Sequence, residues 1–280
     1  MKRVGIVVVS VIGGLGVLLA GVWGALYLRE PQTAGTGPAP TRQQATLKPA
    51  ESSNMDLALK LIHEARARFA SVKDYRCTYL RDEFIAGELK KNQLHLRVRH
   101  EPFSVYMEWH GPTDKQGQRA AYIAGQNNDR MRVRVKRLGL FISTSIAVDD
   151  PQARAESRHQ ITEAGLKNLI ERFCTRWAKE KELGLTEVLI QEGEVKVAVG
   201  DKESRHPCIC VITIHNPKDK EHFTFYRTKL YFDKATGLPI QMEGYDWPRD
   251  AHDRDGRLLE HYTYLNLEPN VGLTDADFTW

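Results

Sequence analysis

The sequence has little cysteine, no large excess of either charge, and none of the short motifs that mark familiar catalytic frames. Four cysteines occur in 280 residues: Cys77, Cys174, Cys208 and Cys210. A small fold stapled by a dense disulfide framework is therefore excluded. Four cysteines permit three complete pairings, and sequence does not choose among them. Cys208 and Cys210 lie two apart in a β-branched run, so their side chains share one strand face. A single C-x-C falls short of a structural zinc site, and these residues read as buried small side chains with at most one bridge. The net charge is only +4, from 40 basic and 36 acidic residues. A dedicated nucleic-acid binder carries a stronger basic excess, so no nucleic-acid partner is expected.

The catalytic vocabulary is equally thin. There is no G-x-S-x-G, no H-E-x-x-H and no phosphate-binding glycine loop. Ten histidines are scattered, with no pair at metal-ligand spacing on one helix. The stretch DAHDRDG is similar to a calcium loop, but Ala251 stands where the first ligand belongs and Tyr262 where the closing glutamate belongs. It reads as a hairpin loop. Cys174 and His159 offer a thiol and an imidazole, yet Cys174 sits one residue from the apolar stripe of a helix, as a packed thiol does. The sequence predicts no enzyme, no metal and no cofactor.

One stretch lacks charge altogether. Val4 to Leu28 carries no Asp, Glu, Lys or Arg. As a helix it would run about 37 Å, more than the ~30 Å hydrocarbon core of a bilayer. A signal-peptide core is shorter, about 7–15 residues, so residues 1–28 read as an uncleaved transmembrane anchor. Lys2 and Arg3 precede the segment, whereas Arg29 is offset by Glu30. The positive-inside rule then predicts a single-pass inner-membrane protein with a cytoplasmic N-terminus and an extracytoplasmic, periplasmic C-terminal domain. Residues 29–53, rich in Pro, Gly, Thr and Ala, read as a flexible linker.

Residues 54–280 read as one domain. Met55 to Ala70 has a helical stripe of Met55, Leu59, Ile62 and Phe69, with Ser53 or Asn54 as cap. Ile161 to Leu183 has another, built on Leu166, Leu169, Ile170, Phe173 and Trp177, and Gly184 ends it. Between and after these helices the pattern switches to period two, with Gly193 read as a turn and residues 142–160 as irregular. The expected class is α+β: one large curved antiparallel sheet with two main helices over its concave face.

The alternating strands supply the candidate site. Leu94, Leu96 and Val98 share a face; so do Phe103, Val105, Met107 and Trp109. In RMRVRVKR, Met131, Val133 and Val135 alternate with Arg130, Arg132, Arg134 and Lys136. The C-terminal half adds Leu230, Phe232, Ile240 and Met242. These apolar faces either form a plain core or leave a cavity that the helices do not fill, lined by aromatics and Met suited to irregular hydrophobic ligands. Periodicity does not separate the two. Arg132 and Arg134 would meet anionic head groups if they lie at the cavity mouth, and otherwise form a solvated strand face.

Larger motifs carry a resemblance. DKATGLP at 233–239 and NVGLTDADF at 270–278 follow the strand–turn–strand and closing pattern of the bacterial lipoprotein carriers LolA and LolB. PFSVYMEW, YIAGQN, ITEAGLKNLIERF, LPIQMEGYDWP and LLEHYTYLNLEPNVGLTDADF resemble a bacterial family of unknown function, domain family fifteen-seventy-one. The carrier resemblance implies a half-open β-barrel whose helices cover the mouth. By analogy it implies a lipid, a lipoprotein acyl chain or another hydrophobic ligand inside. LolA shuttles as a soluble protein, and this chain departs from that pattern through its apolar N-terminal segment. A non-enzymatic envelope scaffold with a filled core, binding an envelope protein partner, is the second reading.

Overall fold

The computed structural model describes residues 53–199, 202–249, 253 and 255–280. The expected anchor and almost all of the expected linker lie outside the described residues, as does part of DAHDRDG. Among the described residues, no helix is long and apolar enough to cross a membrane.

The chain opens with α1 (Asn54–Phe69). Ser53 caps it in a reciprocal box with Asp56. Six strands follow: β1 (Asp74–Ile85), β2 (Glu88–Arg99), β3 (Ser104–Gly111), β4 (Arg119–Ile123), β5 (Met131–Arg137) and β6 (Leu140–Ile146). Two short turns show why they fold back. Ala86–Gly87 joins β1 to β2 and Leu138–Gly139 joins β5 to β6, all four residues at positive φ. That backbone matches the twist of a tight hairpin. A connecting strap then carries the short helix α2 (Pro151–Arg154), capped by the Asp150 carboxylate, and a 3-10 turn at Ile161–Glu163. Helix α3 (Leu166–Leu183) leads to β7 (Thr186–Val199), β8 (Lys202–His215), β9 (Arg227–Asp233), β10 (Pro239–Tyr245) and β11 (Leu258–Pro269).

All eleven strands lie in one sheet, ordered β6-β5-β4-β3-β2-β1-β11-β10-β9-β8-β7. Pairing is antiparallel throughout. The two halves of the chain meet at β1 and β11, where Tyr79 faces Tyr264. The edges, β6 and β7, are not paired with each other, so the barrel stays half open as expected. Helices α1 and α3 pack together and against β7. Their buried stripes, Ile62 and Phe69 on one and Phe173 and Trp177 on the other, join Leu94, Leu96, Leu230 and Phe232 in one core.

The details differ from the periodicity in four places. The second helix is split, because Gly165 adopts φ +106 and its neighbour's backbone N–H is donated to the Tyr75 hydroxyl at 2.7 Å. Gly193 is not a turn. It sits inside β7 at a negative φ, and a side chain there would come within 3.3 Å of the Cys210 Cβ. Residues 142–160 are not all irregular: β6 and α2 lie there. Strand β6 is largely exposed at an edge, so its sequence carries little burial signal. Finally, the β9–β10 ladder slips between Pro239 and Gln241. That bulge turns Ile240 to the outer face, against Val195, Val197, Cys208 and Leu265, rather than toward the face of Met242.

Candidate functional site

Beneath the strap, between β1–β6 and β11, lies a cavity of about 870 Å³ that opens to solvent. This is within the range of small-molecule sites, ~300–1,000 Å³. Inward positions of successive strands line it: Met107 and Trp109 on β3, Ala120 on β4, Met131, Val133 and Val135 on β5, Ile142, Thr144 and Ile146 on β6. Val148 and Ile161 of the strap close it from above. The indole N–H of Trp109 is donated to Asn92 Oδ1 at 3.0 Å, and the Arg81 guanidinium lies over its ring at 5.7 Å, which together fix the ring.

The other end of the cavity is polar. Tyr79 stacks on Tyr264 at 4.9 Å, with Tyr262 alongside. Arg81 and Glu83, on the same face of β1, are only 6 % and 1 % exposed. Glu83 accepts from the Tyr262 hydroxyl at 2.7 Å and from the Arg158 backbone at 3.3 Å. Arg81 donates to the Ser157 hydroxyl and the Glu156 carbonyl. Glu156 is held in addition by Lys90 and Lys115, at 2.9 and 2.7 Å. The strap is thus tied to the sheet by charge, across the mouth of an apolar space.

Behind the strap lies a second cavity of about 460 Å³, bounded by Arg154, Arg158, Arg172, Arg176, His159, Glu163 and Glu260. His159 and Arg172 line both cavities. Glu260 accepts from Arg158 Nε at 2.9 Å and lies 3.0 Å from His159 Nε2. Burial alone would raise its pKa. The hydrogen bond and charge of His159, together with Arg158, overcome that and lower it to about 2.

The structure sorts the residues that sequence put forward. Met107, Trp109, Met131, Val133 and Val135 come together on the larger cavity. Val98 and Phe103 border a separate cleft of about 100 Å³ beside Gly165. Met242 borders the arginine-lined cavity. Leu94, Leu96, Val105, Leu230 and Phe232 are packed in the core beneath the helices. Arg132 and Arg134 do not border the cavity; Arg134 lies over the outward Phe141 ring at 4.4 Å. The cations that border it are instead Arg81, Lys115, Arg119, Lys136, Arg137 and Arg172. Sequence reasoning missed Tyr79, Arg81, Glu83, Glu260, Tyr262 and Tyr264. Their signal was present, since each set repeats with period two on its strand.

The thiols are not reactive groups here. All four cysteines are free and buried. Burial pushes Cys208 and Cys210 up to about 11 and raises Cys174. Among the described residues, no group of three or more His, Cys, Asp and Glu is placed to hold a metal ion.

No curated protein matches the chain in sequence. Several solved structures resemble it in fold. Mycobacterium tuberculosis lipoprotein LppX is 9% identical, with a TM-score of 0.41 over 78% of this chain and 98% of that one. LprF from Mycobacterium bovis is 11% identical, with a TM-score of 0.37 over 78% and 95%. A LolA superfamily protein from Nitrosomonas europaea is 9% identical, with a TM-score of 0.34 over 80% and 97%. The sequence of residues 72–280, from the lead into β1 to the last residue, matches the family described as protein of unknown function (DUF1571), and the chain belongs to that family.

Proposed function

We propose that this domain is a binding protein, not an enzyme, and that its larger cavity holds the hydrophobic chain of a lipid or a lipoprotein acyl group. One observation carries the reading. A space of about 870 Å³, lined at one end by Met, Val, Ile and Trp and at the other by polar side chains, persists beside the main core. An apolar guest there removes water from both surfaces. Each buried methylene contributes about 0.8 kcal/mol, before the costs of immobilising the guest. Unbranched Met107 and Met131 adapt to a chain of irregular path. The scaffold reading calls for a filled interior, so the same space weighs against it. In this reading residues 4–28 hold the domain at the inner membrane on its extracytoplasmic side. The linker gives it local reach, and Lys136 and Arg137, which border the cavity, face the head groups of the membrane surface.

The test is native mass spectrometry of the full chain released from detergent, with and without filling of the cavity. Wild type should retain a mass in the lipid range. Ala120→Phe, which projects a ring into the cavity, should lose it while remaining folded; Trp109→Ala should weaken it. Equal retention by all three would remove the cavity from the account.

A further inference from the structure

The arginine-lined cavity has a charge imbalance that its own residues do not resolve. Helix α3 supplies Arg172 and Arg176, one turn apart, and the strap supplies Arg154 and Arg158. Four arginines face two glutamates, Glu163 and Glu260. Both glutamates are already engaged. Glu260 takes Arg158 and His159 at 2.9 and 3.0 Å, and Glu163 lies 3.3 Å from the other nitrogen of His159. Arg172 only reaches His159 Nδ1, at 3.5 Å. Arg176 is placed over two rings, Phe173 at 5.4 Å and Phe225 at 5.1 Å. Among the described residues, Arg154, Arg172 and Arg176 meet no carboxylate at ion-pair distance. Glu180, one turn beyond Arg176, and Glu260 act on it only at longer range, and Glu180 stands 3.5 Å from His215.

A half-buried guanidinium without a counter-ion is costly, and burial lowers the pKa of Arg176 from its ordinary value. Several guanidinium forks converging on one concavity suit a tetrahedral oxyanion, because each fork can donate two parallel hydrogen bonds. We infer that the cavity between α3 and the strap binds a phosphate-class anion. Resting on the carrier reading, that anion is the head group of the same lipid, since His159 and Arg172 border both spaces. The ligand is then an anionic amphiphile rather than a neutral one. The half-filled network at His159 becomes the joint between its two ends.

The experiment compares two single-chain lipids on the full chain by native mass spectrometry: lysophosphatidate, and monoacylglycerol with the same tail. A double variant, Arg154→Gln with Arg176→Gln, changes only residues outside the larger cavity. Inorganic phosphate is titrated in parallel by thermal unfolding. Wild type should retain lysophosphatidate about ten-fold more than monoacylglycerol, as charge-assisted pairing implies. The variant should lose that preference and keep its monoacylglycerol, which also reports that it is folded. If neither lipid is retained but phosphate raises the unfolding midpoint of wild type and not of the variant, the anion site stands with free phosphate as its guest, and the carrier reading falls. If the two lipids are retained equally and phosphate shifts nothing, the anion site is overturned and the carrier reading survives.

Discussion

Glu260 shows how one residue links stability to the site. Its carboxylate is buried, yet its pKa lies near 2 instead of the ordinary 4.5, because Arg158 and His159 hold the charged form. A pKa depressed on folding stabilises the native state above the unfolded value, and that stabilisation disappears as pH falls through the folded one. The window is therefore from about pH 5 down to about pH 2, and the contribution is on the order of 2–3 kcal/mol. Denaturant titrations across this window should show wild type losing that much more stability than Glu260→Gln. Parallel acid profiles for the two proteins would mean that the contacts at Glu260 do not favour its charged form. The sequence displays Glu260 and Glu83 as ordinary strand charges. Alternation puts each on the face of its neighbouring tyrosines, and the register of β1 on β11 sets the two opposite each other.

Among the elements, the junction between strap and α3 is the most constrained. Gly165 has φ +106, and a Cβ there would stand 2.9 Å from the Tyr75 hydroxyl that caps Leu166. Gly165→Ala should cost roughly 1–3 kcal/mol through backbone strain and this collision. Tyr75→Phe alone should cost about 1 kcal/mol, the usual worth of one hydrogen bond. The two substitutions share one contact, so their combination should cost less than the sum. Equilibrium unfolding of both single variants and the double variant measures this, and strict additivity would show that the collision is relieved elsewhere. The helical period marked the whole of 161–183 as one helix, because the apolar spacing continues through the turn. The break comes from a backbone angle that the spacing does not encode.

At the scale of the whole molecule, the chain folds two antiparallel runs and joins them along β1 and β11, leaving β6 and β7 as open edges. The helices pack on each other and against β7, and the cavity lies between β1–β6, β11 and the strap. A guest that binds only the folded protein must stabilise it, by about 2.7 kcal/mol at a free concentration one hundred times Kd. Calorimetry with a titrated monoacylglycerol should therefore raise the unfolding midpoint of wild type steadily, while Ala120→Phe stays flat. A midpoint indifferent to the lipid would mean that the trough excludes it.

What the sequence determined by itself was local periodicity, except where a backbone angle at Gly165 or a bulge at Ile240 interrupted it. Period-two alternation fixed which residues of RMRVRVKR face in, and the stripes of α1 and α3 fixed their buried sides. Which inward residues meet a ligand space was decided only by the tertiary structure. Leu94 and Val133 carry the same alternation signal, yet one is sealed beneath the helices and the other borders the cavity. The difference depends on where α1 and α3 settle on the sheet. That is set by contacts among residues far apart in the chain, and periodicity reports only neighbours.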